Sequence, residues 1–201
     1  MTSEEVACID QSGNAELVFH GTCTGFCAQI EAEGWRLNSK PYSWEDTDFV
    51  LGLAERLGVY GDWWSGAGNS RKNAGASFTG KLRTAIQYAT QCRGGENLGS
   101  LIEGTKKLLM RMADDCAFVT EAKRLSDLLN RWERLVADSL PVVYVVRGTP
   151  IMFPRMFRSY EAQMRIQGRV TTPIHEVVAE TDVPPSAIEG RHVLPRPSDW
   201  N

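Results

Sequence analysis

Glu16-Leu17-Val18-Phe19-His20-Gly21-Thr22 is the stretch on which the fold turns. The apolar run reads as a short strand that stops at His-Gly-Thr. A short helix is expected straight after it, over Thr24 to Glu33, with Gly34 as its C-terminal stop. A strand ending in this way presents an imidazole and a bare backbone at its mouth. That pairing suits a flat amide, which can hydrogen-bond main-chain groups where glycine lets it come close. Three residues recur by chance, so the weight falls on what accompanies them further along the chain.

Working outward, Ser43 with Asp46 three residues on resembles a capping box. Phe49, Leu53, Ala54 and Leu57 follow at helical spacing, with a stop near Gly58. Residues 61–75 are rich in glycine and small polar residues and read as a loop. Ala76 to Thr79 is a short strand leading into a helix over Lys81 to Cys92, with Leu82, Ala85, Ile86 and Ala89 on one side. Two longer helices are expected over Leu98 to Asp115 and Phe118 to Asp138, their apolar stripes being core packing. Pro141 to Val146 is β-branched and continuous, so it reads as a buried strand. Gly148 to Pro173 lacks clear periodicity and reads as a long loop with at most one helical turn. Ile174 to Thr181 returns to strand character before the Pro184-Pro185 break, and the tail Pro195 to Asn201 is expected to be loosely held.

The 201 residues suit one well-buried domain, and the composition is that of a soluble globular protein. There is no apolar run of membrane-spanning length, and the acidic, polar start lacks the pattern of a secretory signal. Five cysteines without a Cys-x-x-Cys pair, and three scattered histidines, form no metal set; reduced thiols in a cytoplasmic protein are the expectation. The net charge of −3 conceals a block pattern. Residues 63–95 hold Arg71, Lys72, Lys81, Arg83 and Arg93 with no acid. Residues 142–175 hold five arginines against Glu161 alone, whereas residues 1–62 are strongly acidic.

Taken in order, the chain gives VFHGT at a strand end, SFTGKLRTAIQYA with a strand leading into a helix that carries Tyr88, and HEVVAETDVPPSAI with Glu176 near a strand start. This set resembles the ADP-ribosyltransferases of the diphtheria-toxin and poly(ADP-ribose) polymerase branch, whose triad is His, Tyr, Glu. The resemblance covers about 45 residues in three patches. It implies an α+β fold: a single domain over residues 1–201 with a split β-sheet core, flanking helices and a helical insertion at about 96–140. It also implies NAD as the donor substrate and no metal. His20, Gly21 and Thr22 would hold the nicotinamide end, His20 as a positioner and Gly21 through its backbone. Phe78 and Tyr88 would sandwich the ring. Glu176 would hydrogen-bond the ribose and stabilise the positive charge that develops as the bond to nicotinamide breaks. Two positions depart from the family's pattern: Ala85 stands where a small hydroxyl residue is common, and Phe78 where a Tyr is common.

In this family the segment before the catalytic Glu commonly shapes acceptor recognition. Here it holds Arg155, Arg158, Arg165 and Arg169 with Phe153, Phe157 and Tyr160 interleaved. Guanidiniums take phosphates and rings stack on unpaired bases, so an RNA or DNA acceptor is expected, with a protein side chain as the alternative. A small transferase of this kind resembles bacterial or phage toxins, and the acidic N-terminal segment suits contact with a basic antitoxin. Three rival readings stand beside this one: a binding module that holds NAD or ADP-ribose without turnover, an RNA 2′-phosphotransferase, and an NAD glycohydrolase that transfers to water.

Overall fold

The structure is a computed structural model that describes residues 16–37, 44–64, 67–68, 76–91, 96–113, 115–167 and 176–198. It is a mixed α+β fold built on small antiparallel sheets. The first sheet has the order β1 (Leu17–Cys23), β3 (Pro141–Arg147), β5 (Ile188–Val193); the second pairs β2 (Ser77–Phe78) with β4 (Val177–Val178). Register runs from Leu17 opposite Arg147 to Cys23 opposite Pro141. Proline has no N–H to give to a ladder, and it occupies the first position of its strand.

The middle strand β3 is buried on both faces, which explains its unbroken Pro-Val-Val-Tyr-Val-Val run. On one face Val143 joins Phe19 of β1 and Leu82, Ala85 and Ala89 of helix α3 (Leu82–Gln91) in a small core. On the other face Val142, Tyr144 and Val146 join the larger core. That core continues into the helical half of the molecule: α2 (Trp44–Leu57), α4 (Glu96–Met112) and α5 (Val119–Ala137). Leu98, Leu101, Leu108 and Met112 of α4 and Leu125, Leu128, Trp132 and Val136 of α5 are buried, as their helical spacing predicts.

After β1 the chain makes one 3₁₀ turn, Thr24–Phe26, and then α1 (Cys27–Glu33). Gly34 ends α1 with φ of 71°, and Gly58 follows α2 with φ of 64°, so both glycines supply the left-handed turn expected of them. The expected cap at Ser43 lies outside the described residues, as do the acidic segment 1–15, most of the loop 61–75 and the end of the tail.

Three parts of the sequence reading are corrected. Residues 148–173 contain a 14-residue helix, α6 (Pro154–Gln167), in place of a loop. Pro154 occupies its first position, where a missing N–H costs nothing, and Met156 and Tyr160 lie one above the other on its buried face. Strand β5 was not anticipated, because Ile188-Glu189-Gly190-Arg191-His192-Val193 is wet on both faces. Trp63, assigned to a loop, is core: it is 2% exposed, and a Cβ on Gly104 would overlap its indole. Gly104 therefore leaves room, within the unbroken helix α4, to seat a ring.

Candidate functional site

Among the described residues the backbones of the two sheets meet at one bridge, Phe19 with Thr79. Phe19 N–H donates to the Thr79 carbonyl at 2.8 Å, and Thr79 N–H returns the bond at 2.9 Å. Because backbone direction alternates along a strand, this bridge sets the rest of the edge: the N–H and C=O of Gly21, like those of Phe19, point away from β3. Among the described residues this is the one backbone bridge between β1 and the β2 segment, so the sheets part beside Gly21.

His20 spans the parting. Its Nδ1 lies 2.8 Å from the Ser77 carbonyl, and since a carbonyl only accepts, Nδ1 carries the proton and donates it. The imidazole sits between two rings, 5.2 Å from Trp35 (69° between planes) and 5.2 Å from Phe78 (50°).

Gly21 is required by helix packing. A Cβ there would run into the Ala85 carbonyl oxygen and stand 2.8 Å from the Ala89 nitrogen. Helix α3 thus lies directly on the strand at this residue. Tyr88, placed between Ala85 and Ala89 in sequence, flanks the contact and is 39% exposed. Ala85, where a hydroxyl residue was looked for, is fully buried with its backbone against Gly21. Gly21 thus faces α3, which carries Tyr88, whereas His20, the residue before it in the strand, projects to the opposite face of β1 beside Trp35 and Phe78.

The remaining candidates are placed as follows. Thr22 is buried in β1. Phe78 is 2% exposed and ringed by Trp35, His20 and Phe153 at 5.1–5.2 Å, so its faces belong to the core and not to an open pocket. Glu176 is exposed and immediately precedes β4, one residue before the Phe78–Val177 pair. The second sheet therefore carries Glu176 towards the same region as Phe78, the ring that backs His20. Arg155, Arg158 and Arg165 are exposed on α6, on the side opposite Met156 and Tyr160. Arg155 Nε is 3.0 Å from Glu180 Oε1, whereas Arg158 and Arg165 make no ion pair with another described residue. Arg169 lies outside the described residues, as do Arg71, Lys72, Arg93 and His175.

Two side chains near the site were invisible to sequence reading. Trp35 contacts His20, Phe78 and Tyr144, the last at 5.4 Å and 88°. Tyr144, fully buried in β3, donates its hydroxyl to Glu31 Oε1 at 3.1 Å, and Arg191 pairs with the same oxygen. Burial, reinforced by Cys27 and Glu31, pushes the Tyr144 hydroxyl far above its ordinary value. Burial also pushes up the Cys23 thiol at the end of β1, although Ser139 bonds to it. The faint signal for Trp35 was its position just past a helix-ending glycine, which reveals nothing of its distant partners.

Among the described residues no cluster of three or more His, Cys, Asp or Glu side chains is placed to hold a metal ion, and no helix is long and apolar enough to cross a membrane. No family model matches the chain, and no curated protein or solved structure matches it either.

Proposed function

We propose that this chain is an NAD-dependent mono-ADP-ribosyltransferase of toxin type, releasing nicotinamide and passing ADP-ribose to a nucleic-acid acceptor. The observation that carries the reading is the corner at Gly21. There the backbone of Gly21 turns away from β3, the helix bearing a half-exposed tyrosine packs on one face of the strand, and the oriented imidazole of His20 lies on the other; a planar carboxamide at the edge suits this order of parts. The carboxamide bonds to the outward N–H and C=O of Gly21, as an added strand would. Tyr88 stacks on the ring from the solvent side, while Phe78 serves from behind by backing His20. His20 orients the donor through a ribose hydroxyl.

Glu176 supplies the chemistry. As the bond from ribose to nicotinamide lengthens, positive charge grows on the sugar, and a fixed carboxylate beside it stabilises that state more than the ground state. The acceptor lies along the exposed side of α6, where Arg158 and Arg165 take phosphates of an RNA or DNA strand. A protein acceptor is the second reading, favoured by Ile151, Met164 and Ile166, which are exposed near the same arginines. The split-sheet arrangement within one domain, the α4–α5 pair as an insertion, the cytoplasmic setting and an antitoxin partner belong to this proposal.

The test is incubation with NAD carrying label in its ADP-ribose, followed by separation of cellular RNA, DNA and protein. Label in RNA or DNA is the expected result, with stoichiometric nicotinamide release. Label in protein alone favours the second reading, and label in free ADP-ribose alone means hydrolysis. The Glu176→Gln variant should lose roughly 10²–10³-fold in rate, the size of a lost transition-state contact, while binding NAD within a few fold. Equal rates for the two proteins would remove Glu176 from its role. NAD binding without any turnover in the unaltered chain would leave only a binding module.

A further inference from the structure

We propose that the acceptor held along α6 is base-paired: the helix takes phosphates of a double-stranded RNA or DNA and leaves the bases stacked. Its role as acceptor rests on the function proposed above, whereas the preference for a duplex rests on α6 itself. The sequence interleaves arginines with Phe153, Phe157 and Tyr160, which suits an unpaired strand only where the rings are free to stack. These rings are occupied. Phe153 is fully buried and packs edge to face on Phe78 at 5.1 Å. Tyr160 is 5% exposed, and Phe157 is half-buried against the main core. Among the described residues the exposed Tyr, Trp and Phe side chains are Tyr60 and Tyr88, and neither belongs to α6.

What α6 offers is charge at a fixed spacing. Arg158 and Arg165 are seven residues apart, close to two helical turns, so they form a row along the helix with a separation of about 10.5 Å. The row lies opposite the buried Met156 and Tyr160. Arg155 adds a third guanidinium, shared with Glu180, and Glu161 is the one acid on the helix. Met164 and Ile166, exposed on either side of Arg165 in sequence, supply aliphatic surface and no ring to stack.

A row fixed on a helix favours a partner whose phosphates are fixed as well. An unpaired strand must be ordered to match it, and without stacking nothing offsets that cost. A duplex is already a stiff rod, with a persistence length of about 150 base pairs. It also carries more charge per length, so each guanidinium releases about 0.9 counterions from it, against about 0.7 from a single strand. The start of α6 is tied to the segment that follows Glu176. Glu180 N–H donates to the Met152 carbonyl at 2.9 Å, and the Glu180 carboxylate pairs with Arg155. A duplex along the row therefore lies next to the chain that continues from β4.

The test uses the full chain with fluorescent duplex RNA, duplex DNA, and oligo-uridine and oligo-thymidine of equal length, which do not self-pair. Anisotropy titrations over about 50–200 mM salt should show duplex bound about tenfold more tightly than either homopolymer. The logarithm of affinity should fall against the logarithm of salt with a slope of about −2 to −3, for two to three phosphates neutralised. Arg158→Gln and Arg165→Gln should each reduce that slope by about 1. Lys123→Gln, which removes an exposed cation from α5, should leave it unchanged. Both duplexes carry the chemistry argued here, and the tighter of the two names the source. With labelled NAD present, the duplex should take up label ahead of the homopolymers.

Homopolymers bound or labelled as well as the duplexes overturn the proposal. So does a slope that both arginine variants leave unchanged, or failure of either duplex to bind at the lowest salt. An acidic peptide bound through Arg158 and Arg165 with no binding of duplex overturns it too. Duplex binding with these signatures but no nicotinamide release would end the functional reading and leave α6 a duplex-binding helix. Nicotinamide release with no preference for duplex would do the reverse.

Discussion

The helical half and the sheet half of this molecule are stabilised in opposite ways. Helices α2, α4 and α5 bury broad apolar stripes and add exposed ion pairs, such as Lys106 with Glu133 and Lys107 with Glu103. Each contact there is one among many of its kind. The corner of the sheets depends instead on singular features: one backbone bridge at Phe19, one close approach at Gly21 and one left-handed turn at Gly34. Redundant packing tolerates change, whereas a unique contact fixes a geometry. The candidate chemistry sits where the contacts are unique.

The sharpest way to break this contrast is Trp132→Ala in α5, which should cost about 3–5 kcal/mol, the range for truncating a large buried aromatic ring. Denaturant unfolding measures the loss, and nicotinamide release per folded molecule should stay unchanged; a specific loss of turnover would tie the helices to the site. Gly21→Ala should cost less stability, about 1–3 kcal/mol for an overpacked contact, yet abolish NAD binding as α3 is pushed off β1. Calorimetric titration with NAD decides it, and normal binding by the folded variant would refute the importance of the corner.

Alkaline pH should weaken the sheet half. Burial keeps the Cys23 thiol and the Tyr144 hydroxyl protonated beyond their ordinary values, so the unfolded chain gives up these protons first. Their contribution is complete below about pH 9 and is lost as pH rises further. Urea midpoints at pH 7, 9 and 10.5 should fall over the upper interval, and Cys23→Ser should flatten part of the decline. The smallest effect is expected at the surface of the helical half. Glu103→Gln breaks its pair with Lys107 one helical turn on, and should cost no more than about 1 kcal/mol, vanishing at high salt.

Legibility in the sequence followed the same divide. Helices α4 and α5 were readable because their apolar stripes repeat within one element and need no partner to be recognised. Strand β3 was readable because burial on both faces leaves an unbroken β-branched run. Helix α6 was hidden because Arg155 and Arg158 interrupt the series Phe153, Met156, Phe157 and Tyr160, and because Pro154 starts the helix where a proline suggests a break. For the candidate site, local motifs single out His20, Gly21 and Tyr88. The local sequence gives no sign, however, that Gly21 is a seat for α3 or that Phe78 is core. Trp35 and Tyr144 came from pairings between distant segments, which no local pattern encodes.

The α4–α5 pair also governs how the chain can assemble. Strand β1 is made early, but its partner β3 follows both helices in the chain and β5 comes later still. A strand waiting for so distant a partner must close a long loop, which slows folding. The two helices are neighbours in the chain and pack on each other, and by doing so they bring the end of α3 and the start of β3 towards each other. On this account the helical pair acts first as a folding device, shortening the search by which His20 reaches its neighbours.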